Sequence, residues 1–145
     1  MPSLSNHQSN DYTKLLIEGD SGSGKTGSLT SLVAAGYKLR VLDFDNGLDP
    51  LKTFILNSCP DKLDNVEFRT LRDTYVSSAT GPTVKKAQAF VDALKMLDNW
   101  KYDDTNLGPP SEFGPDCILV LDSLTFLSDA AFEWARGIST GAKDP

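Results

Sequence analysis

Apolar positions along this chain come in short bursts whose spacing alternates between strand-like and helix-like. Leu15, Leu16 and Ile17 form a continuous apolar run, which predicts a strand at Lys14 to Glu18 buried on both faces. A Gly/Ser-rich stretch follows. Leu29, Leu32 and Val33 then recur at helical spacing and predict a helix from about Lys25 to Ala35, capped at Gly36. A second strand is expected at Arg40 to Phe44, with a turn at Asp45 to Gly47. A short helix carrying Leu48, Leu51 and Ile55 comes next, with Pro60 just beyond it. Val66 to Leu71 reads as a third strand. Ala87, Phe90, Val91, Leu94 and Leu97 predict a long helix over Thr83 to Trp100. Tyr102 to Asp116 is rich in Gly, Pro and acids and reads as a surface loop. The fourth strand, Cys117 to Leu121, ends at Asp122 and leads into a helix bearing Leu124, Leu127 and Ala131.

Strands alternating with helices predict an α/β fold with a mostly parallel sheet, whose ligand site lies at the carboxyl ends of the strands. Residues 1–13 read as a flexible polar tail, 14–136 as one domain, and 137–145 as a polar stretch. At 39% hydrophobic and 23% charged residues, the composition excludes a wholly disordered or collagen-like chain. The formal charge of −6 argues against nucleic-acid binding over the whole surface, so DNA would have to meet a local basic loop or a partner. Cys59 and Cys117 lack metal or redox spacing and read as reduced structural thiols. The single histidine, His7, rules out a histidine-based metal site or triad within these residues. The apolar runs are strand-sized and the first residues lack the layout of a signal peptide. A cytoplasmic product with no membrane partner is therefore expected.

Three motifs fall at the carboxyl ends of expected strands. The first, Gly19-Asp20-Ser21-Gly22-Ser23-Gly24-Lys25-Thr26, fits the phosphate-loop pattern G-x-x-x-x-G-K-[ST] at every fixed position. A triphosphate concentrates negative charge, and glycines let several backbone N–H groups close around it. The Lys25 ammonium reaches the β- and γ-phosphates, and the Thr26 hydroxyl ligates Mg²⁺. The competing reading is a Gly/Ser turn with a chance lysine. The second motif is the run Cys117 to Leu121 ending in Asp122, the arrangement called Walker B, in which the acid holds the metal's water shell. Helix capping by Asp122 or Ser123 is the alternative. The third is Asp43-Phe44-Asp45. If the strand continues through them, both acids point the same way, and Asp45, nearer the tip, is the candidate base for water activation. The bland alternative is a turn aspartate before Asn46-Gly47.

Asp43-Phe44-Asp45-Asn46-Gly47-Leu48-Asp49-Pro50 resembles the D-A-E-x-A-L-D-P stretch of RecA-type recombinase ATPases. Leu121-Asp122-Ser123-Leu124 resembles the Walker B strand of that family, and the texture is most similar to compact RecA-core ATPases encoded by bacteriophages. The resemblance spans about Lys14 to Trp134. It implies a three-layer P-loop NTPase with a mostly parallel RecA-like sheet, using ATP and Mg²⁺ in phage DNA recombination or repair in the host cytoplasm. It places Asp45 on the catalytic glutamate, Asp49 on the aspartate near the adenine amino group, and Lys52 where the family has an adenine-stacking aromatic. Asp20 stands where MinD-type ATPases need a lysine. The family assembles head to tail and binds single-stranded DNA through loops beyond the Walker B strand. A homo-oligomer, a DNA contact outside these residues and a core truncated after Walker B, with poor stability of its own, are therefore implied. The alternatives are a small-molecule kinase, for which Arg69 and Arg72 are the paired arginines, and a nucleotide-dependent binding module that does not hydrolyse. Arg136 is one of several basic residues considered for completing a neighbour's site.

Overall fold

The computed structural model describes residues 13–78 and 81–141; the expected tail over 1–12 lies outside them. At its centre is strand β1 (Lys38–Asp43), paired in parallel with β2 (Val66–Thr70) on one side and with the strand Cys117–Asp122 on the other. β1 is buried from Leu39 onward, as a strand covered on both faces must be. Its side chains divide by period two. Leu39 and Val41 pack with Leu29, Val33, Leu51, Ile55 and Cys59. Leu42, with Phe44 just beyond the strand, packs with Leu71, Ala89, Ala93, Met96, Trp100 and Ala130. Two hydrophobic cores therefore lie on opposite faces of one small parallel sheet. The chain is an α/β protein with helices over both faces.

The first face is covered by α1 (Lys25–Ser28), α2 (Thr30–Ala34) and α3 (Asp49–Ser58). The single helix expected over 25–35 divides at Leu29, where the bonds Leu29 N–H to Thr26 O and Leu32 N–H to Leu29 O are three residues long. Gly27, Ser28 and Thr30 are weak helix formers, and the turn tightens there. It closes as expected at Gly36, with Gly36 N–H on Val33 O and Tyr37 N–H on Leu32 O, a Schellman pair. A 3₁₀ segment, Pro60–Asn65, leads from α3 to β2.

Two more expectations change. Residues 14–18 form no strand, and Leu15, Leu16 and Ile17 are 79%, 72% and 45% exposed. Both edges of β1 are already taken, and the outer edge of the Cys117–Asp122 strand carries no partner among the described residues. The expected long helix over 83–100 is a strand followed by a shorter helix. β3 (Thr74–Ser78) and β4 (Gly81–Lys86) form an antiparallel hairpin, and α4 covers only Ala89–Asp98. Pro82 and the β-branched Thr83 and Val84 disfavour a helix. Asp73 fixes where α4 begins, since its Oδ1 accepts the N–H groups of Gln88 at 2.7 Å and Ala89 at 2.8 Å. The expected surface loop over 102–116 is found, with short structured pieces within it. Strands β5 (Lys101–Tyr102) and β6 (Thr105–Asn106) pair, and Phe113 packs edge-on against buried Trp100 with ring centroids 6.1 Å apart.

Strand β7 (Cys117–Asp122) is followed by α5 (Leu124–Gly141), which runs on through the start of the polar stretch expected from residue 137. α4 and α5 cover the second face, with Phe90 and Trp134 rings 5.4 Å apart. Among the described residues, no helix is long and apolar enough to cross a membrane.

Candidate functional site

Parallel pairing brings the carboxyl ends of all three central strands level. Asp43 stands opposite Thr70 on one side and Asp122 on the other. The glycine-rich loop sits over this end of the sheet. Thr26 Oγ1 donates to Asp122 Oδ2 at 2.8 Å, joining residues 96 apart in sequence. The hydroxyl that follows the loop lysine thus meets the acid at the tip of β7. The Asp122–Ser123 peptide is cis.

Within the loop, Lys25 Nζ donates to Gly19 O at 2.6 Å and to Asp20 O at 2.8 Å, so the ammonium folds back across the loop mouth. Ser23 N–H donates to Asp20 O at 3.1 Å and tightens the turn. Gly24 enters α1 with φ 88°, a left-handed conformation in which a Cβ would be strained. The side chains of Asp20, Ser21 and Ser23 are exposed. The loop therefore offers backbone N–H groups, one ammonium and the hydroxyls of Ser21, Ser23 and Thr26 at the edge of a parallel sheet, a composition suited to an anion.

The paired acids after β1 separate in role. The strand ends at Asp43, so the two carboxyls differ in burial although they lie close together. Asp43 is 1% exposed. Its Oδ1 accepts the N–H groups of Asn46 (2.8 Å) and Gly47 (3.2 Å), and its Oδ2 accepts the Thr70 hydroxyl (2.8 Å). Asp43 thus fixes the turn after β1 and ties it to β2. Asp45 keeps an exposed face, yet partial burial of its carboxyl pushes its pKa upward. The charge of Asp122 and the hydrogen bond and charge of Asp43 push it the same way, and the Gly47 amide opposes them. Asp45 therefore lies within electrostatic reach of Asp122, on the same side of the sheet end as the loop.

A divalent cation of the magnesium type suits the oxygens that converge here. The Thr26 hydroxyl and Asp122 carboxylate are hard donors, and Mg²⁺ takes one or two protein oxygens and completes its shell with phosphate and water. Among the described residues, no group of three or more His, Cys, Asp or Glu side chains could hold an ion unaided.

Beside the loop runs an open groove of about 380 Å³ lined by Gly24, Gly27, Ser28, Thr30, Phe54, Asn57 and Ser58. Asp49, exposed in the first turn of α3, and Lys52, also exposed, do not line it. The resemblance points to Asp49 and Lys52 and passes over Phe54. The available signal was Gly27, placed inside a helical turn for no evident local reason. A Cβ there would lie 2.8 Å from Phe54 Cε2, so glycine lets the ring lie against the helix backbone. Comparisons with protein-family models, with curated proteins and with solved structures found no match to this chain.

Proposed function

We propose that this chain binds ATP with magnesium at the loop Gly19 to Thr26, as a P-loop NTPase with a RecA-like core that hydrolyses ATP in phage DNA recombination or repair. The observation that carries the reading is the 2.8 Å contact between Thr26 Oγ1 and Asp122 Oδ2. A glycine-rich turn alone has many uses. A hydroxyl directly after the loop lysine, set against a strand-end acid from a distant part of the chain, supplies the two metal-facing oxygens of a triphosphate site. The recombination role, the homo-oligomer and the DNA contact rest on the sequence resemblance at residues 43–50 and 121–124.

In this reading the loop N–H groups hold the α- and β-phosphates. Lys25 exchanges its two carbonyl partners for charged phosphate oxygens, a stronger class of hydrogen bond. Thr26 and Asp122 hold the magnesium, which when bound offsets charge developing on the phosphate oxygens. Asp45 orients a water in line with the γ-phosphate and accepts its proton as the water oxygen bonds to phosphorus and ADP leaves. The upward shift of Asp45 brings it closer to the pH at which a base is effective.

A second reading, a nucleotide-binding module without hydrolysis, is favoured by one observation. The ionised form of Asp45 is disfavoured by burial and by the neighbouring Asp122 and Asp43 carboxyls, which leaves less of it able to act as a base. Phosphate release measured with magnesium and ATP separates the two readings. Turnover that falls about 100-fold or more in Lys25→Ala supports the enzyme. Release undiminished in that variant rules out the assignment, and tight binding without any release selects the module.

A further inference from the structure

The groove beside the loop has a shape and lining that the phosphate chemistry does not use. Two elements make its walls. One is the backbone of α1, from Gly24 to Ser28, continuing to Thr30. The other is the flank of α3 that carries Phe54, Asn57 and Ser58. These three residues are spaced i, i+3 and i+4, so they share one helix face. The buried face of α3 belongs instead to Leu51 and Ile55. Phe54 is 52% exposed although it packs directly against Gly27. One side of its ring is therefore covered by the helix backbone, and part of the ring remains open.

Direction along the loop then decides what the groove can hold. Thr26 faces Asp122, which puts the metal and γ-phosphate end of a bound triphosphate over the tip of β7. Gly27, the next residue, is turned by about 100° around the helix and faces α3. The groove thus lies on another side of α1 from the Thr26–Asp122 contact. It shares Gly24 with the loop itself.

We infer that this groove is the nucleobase site, with Phe54 as the stacking platform and Asn57 reading the edge of an adenine ring. The inference rests on the triphosphate reading of the loop and extends it. A volume of about 380 Å³ lies within the range of small-ligand sites. An aromatic ring stacks on any base. The Asn57 amide carries one acceptor and two donors, which match the N6–H and N7 pair of adenine. The Ser58 hydroxyl already donates to Phe54 O at 2.7 Å, so it presents an acceptor to the groove. This arrangement moves base recognition one helical face away from Lys52, where the family resemblance puts it.

The test compares the affinities of ATP, inosine triphosphate and inorganic tripolyphosphate, each with magnesium, by titration calorimetry. ATP binds more tightly than tripolyphosphate to the wild-type chain. Phe54→Ala weakens ATP by about tenfold or more and leaves tripolyphosphate unchanged, whereas Phe54→Trp retains ATP. Asn57→Ala narrows the preference for ATP over inosine triphosphate. Gly27→Ala, which displaces the Phe54 ring, repeats the Phe54→Ala result. Lys25→Ala loses both ligands. Equal affinity of the wild-type chain for ATP and tripolyphosphate overturns the base site and leaves the phosphate site standing. So does an unchanged ATP affinity in Phe54→Ala. Failure to bind either ligand overturns both.

Discussion

Asp43 and Asp45 stand two residues apart and do different work because one is inside the fold and the other is at its rim. Asp43 has both carboxylate oxygens occupied by the turn and by Thr70. Asp45 has its proton held above the ordinary 3.8 by burial first, then by Asp122 and Asp43. A carboxyl raised in this way favours the folded chain only when protonated. Its contribution is full below pH about 3.8 and is lost as pH rises through the raised value. Asp45→Asn removes that loss. The variant is expected to melt up to about 2 °C higher than wild type at pH 7, with the difference vanishing in acid, and to release phosphate about 100-fold more slowly. Melting curves at pH 3 and 7, paired with a turnover assay, check both halves. A lower melting temperature at pH 7 contradicts the electrostatic account of Asp45.

At the scale of elements, the start of α4 shows how a distant side chain overrides local pattern. Apolar spacing carries the expected helix back to Thr83, yet Asp73 caps it at Gln88 and Ala89 from 15 and 16 residues away. Asp73→Ala is expected to cost about 1 kcal/mol, lowering the melting temperature by about 3 °C. It should also speed hydrogen exchange at the first turn of α4 while leaving α3 unchanged; equal protection in both helices sinks the capping role. β7 was legible in the sequence as a continuous apolar run, and β1, β2 and α3 from their apolar spacing and Pro/Gly punctuation, whereas the continuous run at 15–17 forms no strand. The β3–β4 hairpin was not, since helical spacing at Phe90, Val91, Leu94 and Leu97 extends smoothly into a strand. Of the site, the loop, Asp122 and Asp45 were legible as motifs. Phe54 and Asn57 were not, because the groove exists only once α3 lies against Gly27.

For the whole molecule, β1 is the organising strand: each face supports one core, and each edge supports one neighbour. The segment before the loop stands outside that plan. Leu15 and Leu16 are largely exposed on a stretch of backbone that joins no sheet among the described residues, a combination that promotes self-association. Replacing both with serine is expected to raise the concentration at which the chain stays monomeric several-fold, with stability changed by less than about 0.5 kcal/mol. Sedimentation and melting of the double variant measure this, and a large loss of stability would mean that the segment is packed after all.

The meeting of Thr26 with Asp122 at one sheet end is the centre of the account. Calorimetric titration of the chain with ATP, with and without magnesium, tests it most directly. Saturable one-to-one binding is expected, weakening about tenfold or more when magnesium is removed or Asp122 is changed to alanine. Binding indifferent to both, or none at all, would contradict it.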